Sequence, residues 1–471
     1  MIRLSNRFGL TALSATVVTL LSGQASALPF SSMDPRALGM GGVGVATADV
    51  TTATAYNPAM LSVTPEGERL GFTFPYLGVG GYGYQDFIDF EDAKYVDNLD
   101  ASINSASNLD LATAQSATVT NAYNQVAADA RKLNTGLADV AADPFGVDVG
   151  SGFVVARTSR ELGWGVSAGA GGFMAGTIAY RDYADIEKLA EDVETFAECY
   201  GVASGVVSSG ATVSTASAAT VNSVVDCNTR LNNMNYVAGL NDPNPGEVTY
   251  DTDQDLDSEL FLTGVVLVEV GVSLATERVI SGQSYGFGVT PKMVSATVFE
   301  YNANVNTSDS DDATGDDYST DYSNFNLDLG MTTSFAEGWR AGLTIKNLLA
   351  QEYNFQNRNP AGVMVDTGRS VEVKPMARAG VAFQRDWYLI ALEMDLTTNA
   401  APGTGDDSRQ IALGTEFSSS FAKLRLGYKM DTEGSDRNFI SAGLGFFDVF
   451  DVAVASGKDE LAASFKFGYQ F

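Results

Sequence analysis

The sequence predicts an all-β fold, a single antiparallel transmembrane β-barrel of about 14 strands. Three observations predict it. Many segments of about ten residues alternate apolar and polar side chains, which is the length and pattern of a tilted strand crossing hydrocarbon. The polar face of these segments repeatedly carries charge and glycine, as a wet lumen allows. The chain also ends on an aromatic alternating strand whose last residue is Phe471.

The first element, residues 1–27, reads as a signal peptide. Arg3 and Arg7 form a basic start, Phe8 to Leu21 is mostly apolar or small, and Ala25-Ser26-Ala27 offers a cleavage site before Leu28. No later stretch reaches the roughly 18 apolar residues of a membrane helix. Residues 28–61 follow, rich in glycine at Gly39, Gly41 and Gly42, with a turn signal at Asn57-Pro58. That composition suits a compact irregular segment and opposes a long helix.

Residues 62–471 hold the strands. Candidates lie near 69–84, 149–158, 163–181, 257–277, 284–302, 322–336, 338–350, 371–385, 386–398, 408–419, 421–431, 438–447, 449–455 and 459–471. In Ala422 to Met430, one face carries Ala422, Leu424, Leu426, Tyr428 and Met430, and the other Lys423, Arg425, Gly427 and Lys429. Ile390, Leu392 and Met394 oppose Leu389, Ala391, Glu393 and Asp395. Trp339, Ala341, Leu343 and Ile345 oppose Arg340, Gly342, Thr344 and Lys346. The last strand sets Leu461, Phe465, Phe467, Tyr469 and Phe471 against Ser464, Lys466 and Gly468. Lipid leaves no water to satisfy backbone groups, so such strands must close on themselves. Short turns such as Glu337-Gly338 are expected on the periplasmic side and longer polar connections outside.

Two insertions interrupt the alternation, near 92–143 and 184–250. They read as extracellular loops with short helices. Ala122 to Val140 can form an amphipathic helix with Val126, Leu133 and Leu137 on one stripe. Cys199 and Cys227 lie in the second insertion, and in an exported chain a disulfide between them is expected. The acidic run Asp251 to Asp257 begins like a calcium-binding loop. It lacks the turn glycine at its sixth position (Leu256) and the bidentate Glu at its twelfth (Leu262), so it reads, like Ser308 to Asp321, as a solvated loop without a metal site.

Composition excludes several function classes. The formal net charge is −30, and it becomes −32 without residues 1–27, which carry two arginines and no acid. Such a chain repels nucleic acid. It contains no histidine, so a Ser-His-Asp hydrolase is impossible, and no cofactor or enzyme chemistry is implied.

The mature start runs Leu28-Pro-Phe, then Asp34-Pro-Arg, then Gly39-Met-Gly-Gly42, then Tyr56-Asn-Pro-Ala59. Its Gly-Met-Gly-Gly turn and Tyr-Asn-Pro-Ala resemble the N-terminal hatch of long-chain fatty-acid transporter (FadL-like) barrels. The chain more closely resembles the outer-membrane family named for TraF-like conjugal transfer proteins. Gly288-Val-Thr-Pro-Lys292, Ile345-Lys-Asn-Leu348, Pro375-Met-Ala-Arg-Ala-Gly380, Glu393-Met-Asp-Leu-Thr397 and Leu426-Gly-Tyr428 extend that likeness. The resemblance implies a 14-strand barrel whose lumen is occupied by residues 28–61. It implies uptake of a hydrophobic small molecule, with Gly39, Gly41, Gly42, Asn57 and Pro58 shaping the hatch. Arg340, Lys346, Arg378, Lys423, Arg425 and Lys429 would hold a head group or the hatch, or pair with acids such as Asp328, Glu393, Asp395 and Glu416. Partners would be the bilayer, lipopolysaccharide and the outer-membrane assembly machinery, which reads the strand ending at Phe471. The alternative is a structural or surface-interaction barrel serving conjugation or adhesion through its loops.

Overall fold

The structure, a computed structural model, describes residues 33–64, 67–111, 113–142, 144–207, 227–239, 242–304, 318–358, 363–400, 407–434, 437–458 and 460–471. The expected signal peptide, residues 28–32 and most of the acidic run at 308–321 lie outside them. Fourteen strands close an antiparallel barrel: β1 (Leu70–Tyr82), β2 (Phe145–Arg157), β3 (Gly163–Ala179), β4 (Glu259–Ile280), β5 (Gln283–Asn304), β6 (Ser319–Ala336), β7 (Trp339–Lys346), β10 (Met376–Arg385), β11 (Tyr388–Asp395), β14 (Gln410–Ser418), β15 (Ala422–Asp431), β16 (Phe439–Phe446), β17 (Phe450–Gly457) and β18 (Glu460–Gln470). The remaining four make two separate hairpins, β8 (Gln351–Arg358) with β9 (Met364–Val373), and β12 (Asn399–Ala400) with β13 (Asp407–Ser408). Each barrel strand pairs with its neighbours in chain order, and β18 returns to β1. Phe471 completes that seam: its N–H donates to the Leu70 carbonyl at 2.9 Å, and the Leu70 N–H donates to the Phe471 carbonyl at 2.8 Å.

Period-two patterning decides which side chains face lipid. Ile390, Leu392, Met394, Leu413, Leu424, Leu426, Ile440, Leu444, Phe465 and Phe467 are all exposed on the outer face. Their intervening partners Leu389, Ala391, Glu393, Asp395, Arg425 and Lys466 are buried. In a soluble sandwich the apolar face would be the buried one; here it is the outer belt, as lipid requires. No described helix is long and apolar enough to cross a membrane. Aromatic rings (Trp339, Phe383, Trp387, Tyr388 and Phe417) cluster beside the short turns at Glu337-Gly338 and Asp386-Trp387, with centroids 4.7–6.0 Å apart. Such rings anchor a barrel at a membrane interface.

The insertions are more ordered than short helices in loops. The first begins at residue 84 and forms α1 (Tyr84–Ala93), α2 (Tyr95–Ser107) and the 27-residue α3 (Ser116–Ala142). The second forms α4 (Tyr183–Val207), 25 residues long. Val119, Tyr123, Val126, Ala130, Leu133 and Leu137 repeat at three- and four-residue steps on α3. They pack against Ile186, Leu189, Val193 and Phe196 of α4, so two insertions distant in sequence share one core. Arg131 donates to Glu194 at 2.9 Å across that pair and holds the Glu194 carboxyl below the usual carboxylate range. Cys199 and Cys227 are disulfide-bonded within this helical cap. Thr252–Asp255 is a single helical turn beside it.

One expected strand is divided. The segment 371–385 divides: Val371 and Val373 belong to β9, and β10 begins at Met376. Pro375 stands between them, and without an N–H it cannot continue a ladder. The hairpin β8–β9 folds inward. Tyr353, Phe355, Val371 and Val373 are buried against Phe173, Val265, Ala296 and Val298 of the wall.

Candidate functional site

Residues 33–64 fill the lumen below that hairpin. Asp34 caps a five-residue helix, Pro35–Gly39, accepting from the N–H groups of Arg36 at 2.9 Å and Ala37 at 3.3 Å. The chain then turns through Gly41 and Gly42, whose φ values of +76° and +96° disfavour side chains. A second short helix, Ala53–Tyr56, leads into a 3₁₀ turn, Pro58–Ser62. Asn57 starts that turn by accepting from the Ala59 N–H at 3.1 Å. Its amide donates to the Val45 carbonyl at 2.9 Å and to the Met331 carbonyl of β6 at 3.2 Å. Asn57 therefore ties the segment to itself and to the wall, and it is fully buried.

The wall meets this segment with glycine. A Cβ on Gly427 of β15 would lie 2.0 Å from the Gly41 nitrogen, and one on Gly414 of β14 would lie 2.4 Å from the Met40 carbonyl oxygen. Gly342 of β7, Gly330 of β6 and Gly288 of β5 would each clash likewise, at 2.6 Å or closer, with Val45, Asn57 or Ala59. Backbone packs directly on backbone there, and only glycine allows it.

Charge fastens the same side. Glu416 of β14 accepts from Arg36 Nε at 3.0 Å and from Arg425 Nε at 2.7 Å. Arg425 reaches Asp451 at 2.6 Å, and Lys466 bridges Asp451 at 3.4 Å and Asp34 at 3.2 Å. Glu393 of β11 accepts from the backbone N–H groups of Gly44 at 2.9 Å and Ala46 at 3.0 Å. Arg378 donates to Asp395 at 2.6 Å and to the Gly42 carbonyl at 3.2 Å. Buried charges cost several kcal/mol each unless paired, and these are paired across the segment and the wall.

The expected lumen charges thus separate by partner. Arg378, Arg425, Glu393 and Asp395 hold the inner segment or one another. Arg340 lies 3.5 Å from the Ala46 carbonyl. Lys423 pairs with Asp448 at 2.5 Å near the short turns, and Lys429 pairs with Glu460 at 2.8 Å. Of these eight, Lys346 lines the main described cavity.

That cavity, about 230 Å³, lies on the opposite side of the lumen. Met33, Tyr56, Val154, Phe173, Val265, Leu267 and Met376 give it an apolar lining. Glu269 of β4, Lys292 of β5, Asp328 of β6 and Lys346 of β7 give it one charged rung. Lys292 sits centrally, 3.0 Å from Glu269 and 3.1 Å from Asp328. Phe173, Val265 and Leu267 also contact the inward hairpin, so the cavity lies between the inner segment and β8–β9. Sequence reasoning had not singled out Glu269 and Lys292 as site residues. Glu269 interrupts the lipid-facing run Val266, Val268, Val270 and Val272 at a lumen position, which period two alone could have flagged. Arg36 carried no such signal, because the inner segment has no period.

The chain belongs to the family described as F plasmid transfer operon, TraF, protein, whose model matches residues 54–395. Among curated proteins no sequence matches. Three solved structures are similar to it along most of the chain. The Ralstonia pickettii toluene transporter TbuX has a TM-score of 0.45 and 10% identity, over 94% of this chain and 99% of that one. The CymD monoaromatic hydrocarbon channel has a TM-score of 0.44 and 11% identity, over 94% and 99%. The P. putida toluene transporter TodX has a TM-score of 0.40 and 11% identity, over 96% and 99%.

Proposed function

We propose that this TraF-family barrel resides in the outer membrane of a Gram-negative cell and passes a small hydrophobic molecule through its lumen, with residues 28–61 as a movable hatch. The cavity of about 230 Å³ carries this reading. An apolar cavity of about 150 Å³ suffices to hold benzene, whereas drug-sized ligands use roughly 300 Å³ or more. The volume therefore suits a molecule of about one ring better than a long acyl chain. Gly39, Gly41, Gly42, Asn57 and Pro58 give the hatch its shape, and its release opens the path below the cavity.

Residues 1–27 would export the chain. The assembly machinery would read the strand ending at Phe471. Lipid and lipopolysaccharide would surround the apolar belt and outer loops. Mass spectrometry of barrel purified from native outer membrane should find a bound hydrophobe of that size. A barrel that is empty in every preparation overturns the reading.

The family description favours a second reading, a surface role in plasmid transfer acting through the helical cap. Because α3 and α4 share a core, a discriminating deletion must remove both insertions. Loss of cell contact or plasmid transfer with uptake intact would support this role over transport.

A further inference from the structure

We infer that the cavity selects an uncharged small hydrophobe bearing a hydroxyl group, such as an aryl or alkyl alcohol, with Glu269 as the acceptor. The inference rests on the transport reading above and specifies its ligand. Four carboxylates and two ammonium groups line the cavity. Asp34 is tied to Lys466 at 3.2 Å, and Asp328 to Lys292 at 3.1 Å and to the Asn347 N–H at 2.8 Å. Asp148 lies within electrostatic range of Lys429, Glu460 and Arg437 at one end of the cavity.

Glu269 differs from its partners. Its side chain is 31% exposed to the cavity, against 3% for Lys292 and 5% for Asp328. Lys292 Nζ donates to both its oxygens, at 3.0 and 3.1 Å. A carboxylate offers about four lone-pair sites, so Glu269 keeps acceptor capacity on its open side.

The rung Glu269, Lys292, Asp328 and Lys346 sums to zero formal charge. An arriving carboxylate would meet Glu269 first, with Lys292 buried behind it and Lys346 already faced by Asp328 and Glu269. An arriving ammonium would compete with Lys292 and Lys346 for the same carboxylates. A neutral hydroxyl donates to Glu269 without disturbing the rung, while its ring or chain lies against Tyr56, Phe173, Val265 and Leu267. A bare hydrocarbon leaves that acceptor unanswered in an apolar site, which a hydrogen-bonding analogue avoids.

The test uses the full barrel in nanodiscs and four one-ring probes: toluene, benzyl alcohol, benzoate and benzylamine. Benzyl alcohol should bind at least about tenfold more tightly than the other three, the effect of one hydrogen bond to a charged acceptor. In Glu269→Ala the preference for the alcohol over toluene should disappear, and Glu269→Gln, which retains an acceptor, should recover part of it. Toluene, benzoate or benzylamine matching benzyl alcohol in the unmodified barrel overturns the inference and leaves transport standing. Binding of none of the four overturns both. Should Glu269→Ala fail to fold, the order of the four probes on the unmodified barrel decides alone.

Discussion

The two sides of the lumen contrast. Along β14–β18 the inner segment lies on wall glycines and is bolted by Arg36, Glu416, Arg425, Asp451 and Lys466. Along β2–β5 the Pro58–Ser62 turn still meets the wall, at Gly163 of β3 and Gly288 of β5, but the rest of the segment stands back and leaves the cavity. Both walls are alternating strands of one closed barrel. The difference lies in what faces inward. On one side, charged and polar wall groups reach counterparts on the segment; on the other, the small residues Ser167, Gly169 and Gly171 of β3 make room for the cavity. One barrel thereby combines a seal with a binding site.

The sharpest way to break this contrast is steric. Gly427→Val places atoms where the Gly41 backbone runs and should unseat the segment, seen as a large rise in conductance across planar bilayers while heat-modifiable gel mobility still reports a closed barrel. Gly171→Val, whose added Cβ meets nothing closer than 4.0 Å, should leave conductance low and reduce only ligand binding.

Removing charge comes next. Glu416→Ala strands Arg36 and Arg425 without their shared carboxylate, and breaking such a buried pair typically costs about 3–5 kcal/mol. Hydrogen exchange across residues 33–64 should quicken accordingly. Replacing Cys199 and Cys227 by Ser should destabilise the cap by about 3 kcal/mol on the chain-entropy model, seen as faster exchange in α4 with no change at the inner segment. Lys423→Ala is the smallest effect. Its partner Asp448 is well exposed, and such pairs contribute at most about 1 kcal/mol, so thermal unfolding should barely shift.

Much of the wall was legible before folding. Lys423, Arg425 and Lys429 were placed on the inner face from spacing alone, and Leu424, Leu426 and Tyr428 on the outer, because a strand's side-chain period is local. Val126, Leu133 and Leu137 were likewise read as one helical stripe. That this stripe meets α4 was not legible, since nothing in either helix names its partner. The hairpin β8–β9 was missed for a related reason. Tyr353 and Phe355 alternate like a barrel strand, and only the Pro375 break and the available space inside turn them inward.

By itself the sequence determined the barrel, its lipid-facing belt, the seam that Phe471 closes and the glycine-rich character of residues 28–61, because each depends on neighbours a few residues apart. Only the tertiary structure decided which lumen charges became bolts and which one lined a cavity. Arg36 and Glu416 stand 380 residues apart, and Glu269, Lys292, Asp328 and Lys346 come from four strands. Their meeting, and the cavity beside them, depend on how a whole wall curves around a segment with no period of its own.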